Sequence, residues 1–209
     1  GSARQVLVTA ADVRVGKPGS EFDVTVGDGA AAFLVGDSGV VAEVEDFYSC
    51  AQEIHDIWRT DKDNYLQSWE DRWTIEEGYF KVLPEVVSQL MNRKGLTPKD
   101  FSEAVFYAPN ARRHTEMAKK LGFDPESQCH DSLFGSLGDT GTAFALMCLD
   151  VALGDAKAGD RLLLANYGNG ADGFILRVTP EIEKMKGRRG VKRYLQTKSI
   201  IGDYQTYAS

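Results

Sequence analysis

The sequence predicts a layered α/β protein with a mixed β-sheet. Two observations carry this prediction: apolar strand-like runs alternate with segments of helical periodicity, and the last two strand-like runs lie close enough to form a hairpin. The chain has 209 residues, which is enough for one or two domains with a sizeable buried core. Its hydrophobic content of 43% and charged content of 26% are typical of a globular protein.

The charge balance and the cysteine usage exclude several classes of protein. The 24 basic residues stand against 31 acidic ones, and the net charge of −7 argues against binding to nucleic acid or to an anionic membrane surface. Cys50, Cys129 and Cys148 are far apart and form no CxxC pair, which excludes a disulfide scaffold and a zinc finger. The most apolar stretch, residues 143–149, is too short to cross a bilayer. We therefore expect a cytoplasmic protein with reduced thiols.

The first part of the chain predicts three strands. Residues 5–9 (QVLVT) are rich in β-branched side chains and predict a buried strand. Residues 30–35 (AAAFLV) predict a second buried strand, entered through the glycine turn at residues 27–29. The turn at residues 36–39 (GDSG) predicts that residues 40–47 pair with this second strand as an antiparallel hairpin.

The middle of the chain predicts an insertion followed by alternating helices and strands. Residues 55–75 are polar and aromatic without a clear period, and we interpret them as a surface insertion. Residues 76–93 repeat apolar positions at three- and four-residue steps, which predicts a helix that is kinked or bounded at Pro84. A strand is predicted at residues 103–108 and a helix at residues 111–121.

The last third of the chain predicts a buried helix and a strand pair. The glycine-rich residues 134–141 open an almost wholly apolar helix at residues 142–153, which should lie between two layers. Residues 161–165 and 173–178 predict the last two strands, joined by a loop. The tail from Pro180 predicts a short charged helix and a solvated, partly basic terminus.

Four short motifs follow one another along the chain. They are Gly-Asp-Gly-Ala at residues 27–30, Tyr-Ala-Pro-Asn at residues 107–110, Gly-Asp-Thr at residues 138–140 and Tyr-Gly-Asn-Gly at residues 167–170. Their order and spacing resemble the second half of the thiolase superfamily, above all its hydroxymethylglutaryl-CoA (HMG-CoA) synthases and its ketoacyl synthases of type III. Each motif alone is a weak signal, so it is the ordered set that carries the resemblance.

The resemblance implies a thiolase-like layered αβαβα sandwich made of two stacked halves. Residues 1–36 would be the last strands of the N-terminal half and residues 37–179 the C-terminal half, with the insertion at about residues 55–75. Residues 180–209 would form a charged C-terminal tail. The implied activity is that of an acyltransferase that forms or cleaves a C–C bond at a thioester, with a coenzyme A thioester as substrate and no covalently bound cofactor.

The resemblance also implies partners. In this family the nucleophilic cysteine opens a buried helix of the first half, where the helix N-terminus favours the thiolate. Cys50, Cys129 and Cys148 all lack that setting, so the nucleophile is expected on a partner chain or an upstream segment. A small zinc-ribbon/OB-fold protein is a further possible partner. Because half of a stacked fold exposes a large apolar face, we expect an oligomer rather than a free monomer.

Two residues depart from the family pattern. Tyr107 stands at the position of a family histidine and Asp139 at that of a family asparagine, both of which donate hydrogen bonds to the thioester oxygen. A neutral tyrosine can still donate, whereas an ionised aspartate cannot. Two interpretations remain open: different chemistry, with Tyr107 as donor or acid and Asp139 as base or orienter, or a non-catalytic structural subunit of a thiolase-like heteromer. Asp139 is equally suited to capping the helix that follows it.

The segment after Tyr107 supplies further candidates. Asn110 matches the family motif, although Pro-Asn is also a common turn pair. Arg112 and Arg113 are candidates for contacts with the phosphates of coenzyme A, but a charged, exposed helix face explains them as well. The histidines of the chain lack ligand spacing, so no metal site is predicted.

The glycine turn near the end of the chain is the last candidate. Gly168, Asn169 and Gly170 can bring backbone N–H groups close to a thioester oxygen, because glycine permits close approach, or they can form a simple hairpin turn. A nucleotide-binding domain that uses the Gly-Asp-Gly-Ala turn is disfavoured, because the chain has no GxxxxGK[ST] loop.

Overall fold

The computed structural model describes residues 4–129, 133–185, 187 and 190–208. These ranges contain a four-stranded mixed sheet and two two-stranded ribbons. The strands are β1 (Gln5–Asp12), β2 (Gly29–Gly36), β3 (Ala42–Ala51), β4 (Ile57–Trp58), β5 (Gln67–Ser68), β6 (Glu103–Phe106), β7 (Arg161–Gly168) and β8 (Gly170–Val178). The α-helices are α1 (Glu21–Thr25), α2 (Asp71–Trp73), α3 (Phe80–Lys94), α4 (Ala111–Leu121), α5 (Phe134–Leu137), α6 (Phe144–Asp155), α7 (Val191–Leu195) and α8 (Tyr204–Ala208).

The layers of the fold follow from what the helices cover. The four-stranded sheet has the order β3–β8–β7–β6, in which β6 and β7 are parallel and the other neighbours are antiparallel. Helix α3 packs on β3, β8 and β7, whereas α6 lies between the sheet strands β6 and β7 and the ribbon strand β2. The predicted burial of the apolar helix is confirmed, since Phe144, Cys148 and Ala152 along α6 are all buried. A helix that is apolar on every side is stable in water only between two such layers.

Helix α3 begins later than the sequence predicts. Residues Thr74–Tyr79 form a π-helix, and α-helical geometry starts only at Phe80. Pro84 lies inside α3 instead of ending it. Pro84 has no N–H, so the carbonyl of Phe80, four residues earlier, lacks its usual helical hydrogen bond. The change from π-helical to α-helical geometry falls at this same residue, Phe80. The apolar stripe is nevertheless correct, because Val82, Val86 and the other core-facing residues of α3 are buried.

The predicted pairing of the third strand is wrong. Strand β3 does not form a hairpin with β2 but pairs antiparallel with β8, while β2 pairs with β1. Side-chain hydrogen bonds from one acidic residue of β3 accompany this pairing. Glu45 lies at a β-bulge and accepts hydrogen bonds from Arg161 of β7 at 2.8 Å and from Arg177 of β8 at 3.0 Å. These charge-assisted bonds exist only if β3 lies against the last two strands.

The first predicted strand is present but exposed rather than buried. Strand β1 extends to Asp12, and Val6 and Leu7 are 51% and 64% exposed. Its partner β2 exposes Leu34 to 62% and Val35 to 51%. The sequence predicted burial because apolar β-branched runs normally lie inside a sheet. Within the described part of the chain, nothing covers the outer surface of this ribbon.

The final strands and the tail are more ordered than predicted. Strands β7 and β8 extend into the predicted loop, so that only Asn169 separates them. Gly170 permits this tight turn because glycine can adopt its φ of +122°. Most of the described tail is exposed, including Tyr194 and Ile200, but two hydrogen bonds tie it to the rest of the fold. The N–H of Val191 donates to Asp150 of α6 at 2.7 Å, and the Tyr204 hydroxyl donates to Asp23 of α1 at 2.7 Å. Arg188 and Arg189 of the basic cluster lie outside the described residues. Among the described helices, none is long and apolar enough to span a membrane.

Candidate active site

The structure brings Tyr107 and Asp139 together. Tyr107 directly follows β6, and its N–H donates to the carbonyl of Ala165 at 3.0 Å, which continues the sheet. Asp139 is held by its backbone against the segment before β2, since its N–H donates to Thr25 at 2.8 Å and its carbonyl accepts from Gly27 at 3.0 Å. The Tyr107 hydroxyl donates to Oδ2 of Asp139 at 3.1 Å, and the two residues are only 6% and 2% exposed.

A buried arginine that the sequence did not point to completes this pair. Nη1 of Arg14 donates to Oδ2 of Asp139 at 2.5 Å, and the Arg14 side chain is 7% exposed. Its backbone N–H donates to Asp28 at 2.8 Å, which fixes the segment after β1. Arg14 lies in a loop 125 residues away from Asp139, so no local pattern marks it as a site residue.

Three donors from this chain surround the carboxylate of Asp139. Besides Arg14 and Tyr107, the N–H of Gly141 donates to its Oδ1 at 2.8 Å, at the start of the turn that leads into α6. The carboxylate is thus an acceptor for three donors, one of them a guanidinium. Burial is the largest influence and raises the pKa of Asp139 above its ordinary value, although Arg14, Gly141 and Tyr107 oppose this effect. The hydrogen bond from Tyr107 places the carboxylate where it can orient that hydroxyl.

Tyr107 remains a protonated donor over the physiological pH range. Burial, and then the negative charge of Asp139, hold the pKa of its hydroxyl well above the ordinary value. The ring is fixed by its neighbours: Tyr79 donates to the Tyr107 carbonyl at 2.9 Å, Tyr167 stacks on the ring at a centroid distance of 6.3 Å, and Phe144 meets it edge-on at 5.9 Å. Water is therefore largely excluded from this hydroxyl.

Three buried polar atoms lack a hydrogen-bond partner among the described residues. They are Nε of Arg14, and the hydroxyl oxygen of Tyr167 and Oδ1 of Asn166 near the end of β7. Burial raises the pKa of Tyr167 far above its usual value, so the hydroxyl stays protonated and can donate. Buried polar groups in folded proteins are almost always paired. The Tyr167 hydroxyl packs against Gly78, with no room between them even for a methyl group.

The predicted glycine turn lies beside the cluster. Among the described residues, no hydrogen bond joins this turn to Asp139 or Tyr107. Gly168, Asn169 and Gly170 reach the cluster only through the adjacent Tyr167. The carbonyl of Asn169 accepts from the N–H of Gln52 at 3.3 Å, which ties the turn to the end of β3. The suggested use of its N–H groups toward a thioester oxygen stays a prediction.

The residues after Tyr107 have clear structural partners. Oδ1 of Asn110 accepts from the N–H of Arg113 at 3.0 Å and caps α4. Arg112 and Arg113 both donate to Glu116, at 2.9 Å and 2.7 Å. Arg113 also lies over the ring of Phe80, 5.6 Å from its centroid. Contacts of these two arginines with coenzyme A stay a prediction. Such contacts would require Arg112 or Arg113 to break its hydrogen bond with Glu116 and bind a phosphate instead.

The cysteines occupy the positions that the sequence indicated. Cys50 lies near the end of β3, Cys148 is buried within α6, and Cys129 bridges to β6. Burial raises the pKa of the Cys129 thiol to about 12. A thiol of this kind is a poor nucleophile. In the described ranges, no group of His, Cys, Asp and Glu side chains could hold a metal ion, and His130 lies outside those ranges.

One further acidic residue near the cluster was not predicted. Asp56 lies in the insertion, immediately before β4, and is half-buried. Burial is the main cause of a raised pKa at Asp56, and the charge of Asp139 adds to it. The sequence offered only a polar segment without periodicity, from which no half-buried acid can be predicted.

The fold of the chain is thiolase-like. Residues 91–177 match the family described as 3-Oxoacyl-[acyl-carrier-protein (ACP)] synthase III C terminal. The mixed sheet between helices agrees with that family, and the predicted thiolase-like layered fold is confirmed.

Individual relatives make the resemblance more specific. The chain is 34% identical to the HMG-CoA synthase of Pyrococcus horikoshii over an alignment of 213 residues. This alignment covers 100% of this chain and 60% of that protein. It is 33% identical to the HMG-CoA synthase of Methanopyrus kandleri over 98% of this chain and 59% of that protein. The chain therefore spans about 60% of the length of these relatives.

Solved structures show the same fold at lower identity. An HMG-CoA synthase crystallised with CoA superposes with a TM-score of 0.75 at 18% identity, over 92% of this chain and 53% of that chain. The HMG-CoA synthase PksG of Bacillus subtilis gives a TM-score of 0.77 at 16% identity, over 97% and 54%. The 3-oxoacyl-[acyl-carrier-protein] synthase III of Aquifex aeolicus gives 0.69 at 21%, over 83% and 58%. The predicted resemblance to these two groups of the thiolase superfamily is confirmed.

Proposed function

We propose that the chain supplies the C-terminal half of an acyl-CoA condensing or thiolytic acyltransferase. One observation carries the proposal: the water-excluded hydrogen bond between Tyr107 and Asp139, at the two positions where the sequence resembles the family's donor motifs. Preorganised donors in a dry site stabilise the negative charge that develops on a thioester oxygen. The substrate would be a coenzyme A thioester, and the chain itself would need no covalently bound cofactor.

In this proposal Tyr107 would turn its single hydroxyl proton from Asp139 to the thioester oxygen when substrate binds, and Asp139 would hold the hydroxyl in place until then. In the condensing direction the nucleophilic cysteine would take the acyl group from an acyl-CoA and release coenzyme A, and the carbanion of a second acyl thioester would then attack the acyl-enzyme and free the cysteine. In the thiolytic direction the same steps would run in reverse. That cysteine would lie on a thiolase-like partner chain or an upstream segment. The glycine turn at residues 168–170 would supply further N–H donors.

The partner proposal is supported by the uncovered β1–β2 ribbon. Leu7, Leu34 and Val35 are each more than half exposed, and apolar patches of this kind mark association surfaces. We propose an oligomeric, cytoplasmic assembly with the polypeptide that completes the fold, and a small zinc-ribbon/OB-fold protein as an optional member.

A second function, that of a non-catalytic structural subunit, is favoured by the saturation of Asp139. Its three donors belong to this chain, so the cluster is stable without a substrate. A structural subunit would hold an active partner in shape and would not need the Tyr107 hydroxyl to be free.

The test is release of coenzyme A from acyl-CoA by the chain purified together with the polypeptide that completes it. Tyr107→Phe should lower the rate roughly 100-fold, the order of effect for loss of one oxyanion donor. Tyr194→Phe is the matched control, since Tyr194 is 64% exposed and should not matter. An unchanged rate for Tyr107→Phe would support the structural subunit instead.

A further inference from the structure

The short helix α1 contacts the backbone beside both charged residues of the candidate site. The carbonyl of Thr25, at its C-terminal end, accepts from the N–H of Asp139 at 2.8 Å. Earlier in the helix, the backbone N–H of Asp23 lies so close to Gly16 that a methyl group on this glycine would not fit. Because Gly16 is two residues from Arg14, a shift of α1 would disturb both partners of the Arg14–Asp139 ion pair.

The segment that follows α1 packs directly on the turn that carries Asp139. The N–H of Gly27 donates to the carbonyl of Asp139 at 3.0 Å. A methyl group on Gly27 would collide with the carbonyl of Leu137. One on Gly138 would collide with the carbonyl of Thr25. Since no space separates the two segments, a displacement of α1 displaces Asp139.

Helix α1 has little intrinsic stability. It has five residues, far fewer than an isolated helix needs in water. Asp23 is buried, whereas Phe22 is half-buried and Val24 is 80% exposed. The contacts of the buried Asp23 side chain are therefore a main support of this helix.

The C-terminal helix α8 supplies one of those contacts. Oδ2 of Asp23 accepts from the N–H of Gly19 at 2.8 Å and from the Tyr204 hydroxyl at 2.7 Å. The Tyr207 hydroxyl donates to the backbone carbonyl of Asp23 at 3.4 Å, and its ring lies 5.8 Å from that of Tyr204. The N–H of Gly19, and then the Tyr204 hydroxyl, hold the pKa of Asp23 below its ordinary value. The bond from Tyr204 is thus a bond to a charged acceptor.

Residues 191–208, from α7 to α8, form a segment that we call the tail strap. At its first end, the N–H of Val191 donates to Asp150 of α6. At its second end, Tyr204 reaches Asp23, 181 residues earlier in the chain. Residues 196–207 are exposed. The strap therefore joins α6 to α1 and is held by hydrogen bonds at its ends rather than by burial along its length.

We propose that the tail strap aligns the candidate site through α1, with Tyr204 and Asp23 as positioning residues. The inference rests on the proposed function, because the alignment concerns the Tyr107 donor. Release of the strap would let α1 shift, and with it the Arg14–Asp139 pair that holds the Tyr107 hydroxyl.

The first experiment follows hydrogen–deuterium exchange of backbone amides in the chain purified together with the polypeptide that completes it. Tyr204→Phe removes the hydroxyl and keeps the ring. Exchange at Gly27 and Asp139 should become roughly tenfold faster, because a hydrogen bond to a charged group no longer supports their contact. Exchange of the amides of β7, in the core, should stay at the wild-type rate, which distinguishes this local effect from a general loss of stability.

Three further variants serve as controls. Tyr194→Phe is the matched control, since Tyr194 belongs to α7 of the same strap and is 64% exposed. It should exchange like the wild type. Asp23→Ala should act at least as strongly as Tyr204→Phe. Asp23→Asn should restore slow exchange, because the amide keeps an oxygen that can accept from both Tyr204 and Gly19.

The second experiment measures release of coenzyme A by the same preparations. Tyr204→Phe should lower kcat roughly tenfold and leave KM unchanged, because in this proposal the strap does not touch the substrate but aligns a donor used in the transition state. Asp23→Asn should keep most of the wild-type kcat, whereas Asp23→Ala should not.

The outcomes separate this inference from the proposed function. Faster exchange at Gly27 and Asp139 in Tyr204→Phe, together with a lower kcat, supports the role of the strap. Wild-type exchange at Asp139 in that variant overturns it, and so does an unchanged kcat. A wild type that releases no coenzyme A contradicts the proposed function, and the exchange rates then decide by themselves whether the strap holds Asp139.

Discussion

At the scale of single residues, the Arg14–Asp139 ion pair is the most consequential contact in the site. Both side chains are more than nine-tenths buried, so each has lost nearly all of its hydration. A buried pair of this kind adds little net stability compared with apolar residues, but each partner strongly needs the other. The pair also fixes Asp139 as an acceptor, and thereby sets the direction of the Tyr107 hydrogen bond.

Arg14→Met tests this dependence. Loss of the guanidinium leaves the Asp139 carboxylate buried without a counter-charge, and the free energy of unfolding should fall by about 3–5 kcal/mol at neutral pH. The loss should shrink as the pH falls, because a protonated Asp139 needs no counter-charge. Denaturant unfolding at several pH values measures both effects.

The double variant Arg14→Met/Asp139→Asn is the internal check on that prediction. Removal of both charges should restore most of the lost stability. Arg4→Met is an external control, since its ion pair with Asp37 is exposed and should contribute little. Equal losses for the single and double variants would contradict the coupling.

At the scale of secondary-structure elements, the π-helix before α3 determines how closely this helix approaches β7. Gly78, within the π-helix, lies against the hydroxyl of Tyr167 with no room for a methyl group. π-Helical turns are rare and often occur at functional sites. Here the turn presents a glycine to the ring that stacks on Tyr107.

Gly78→Ala should therefore destabilise the protein by about 1–3 kcal/mol, the usual cost of forcing extra volume into a packed region. Tyr167→Phe removes the atom that the new methyl group meets. The double variant should recover most of the loss, as measured by thermal or denaturant unfolding. If Tyr167→Phe does not relieve Gly78→Ala, the contact with the hydroxyl is not the cause of the loss.

At the scale of the whole molecule, the β1–β2 ribbon exposes apolar side chains that the described part of the chain does not cover. Leu7 and Leu34 are cross-strand neighbours, 64% and 62% exposed. Leaving such side chains in water forfeits roughly 1.5–3 kcal/mol each of the stabilisation that burial would give. The ribbon is thus a surface that favours association.

Leu7→Asp/Leu34→Asp should weaken assembly with the completing polypeptide at least tenfold, because charges cannot be buried there without partners. Size-exclusion chromatography of the co-expressed chains measures the shift. Val24→Asp is the control, since Val24 is 80% exposed on α1, away from the ribbon. A wild-type chain that stays monomeric when the completing polypeptide is present would contradict this prediction.

Much of the local structure was predictable from the sequence, for physical reasons that act over a few residues. The apolar period of α3, the helix 111–121 and the wholly apolar α6 follow from which side chains must avoid water. The motifs around Tyr107 and Asp139 also pointed to the two residues that now share a hydrogen bond. Strand partners were less predictable, because β3 found its partners through Glu45 and two arginines more than 100 positions away.

The amino-acid sequence alone determined the α/β class, the buried helix and the thiolase-like resemblance, because these depend on local periodicity and short motifs. Only the tertiary structure decided that Arg14 neutralises Asp139 and that the Tyr167 hydroxyl has no partner within the described chain. Those facts depend on contacts between distant segments and on the exclusion of water. Long-range contacts and the exclusion of water cannot be inferred from the order of neighbouring residues.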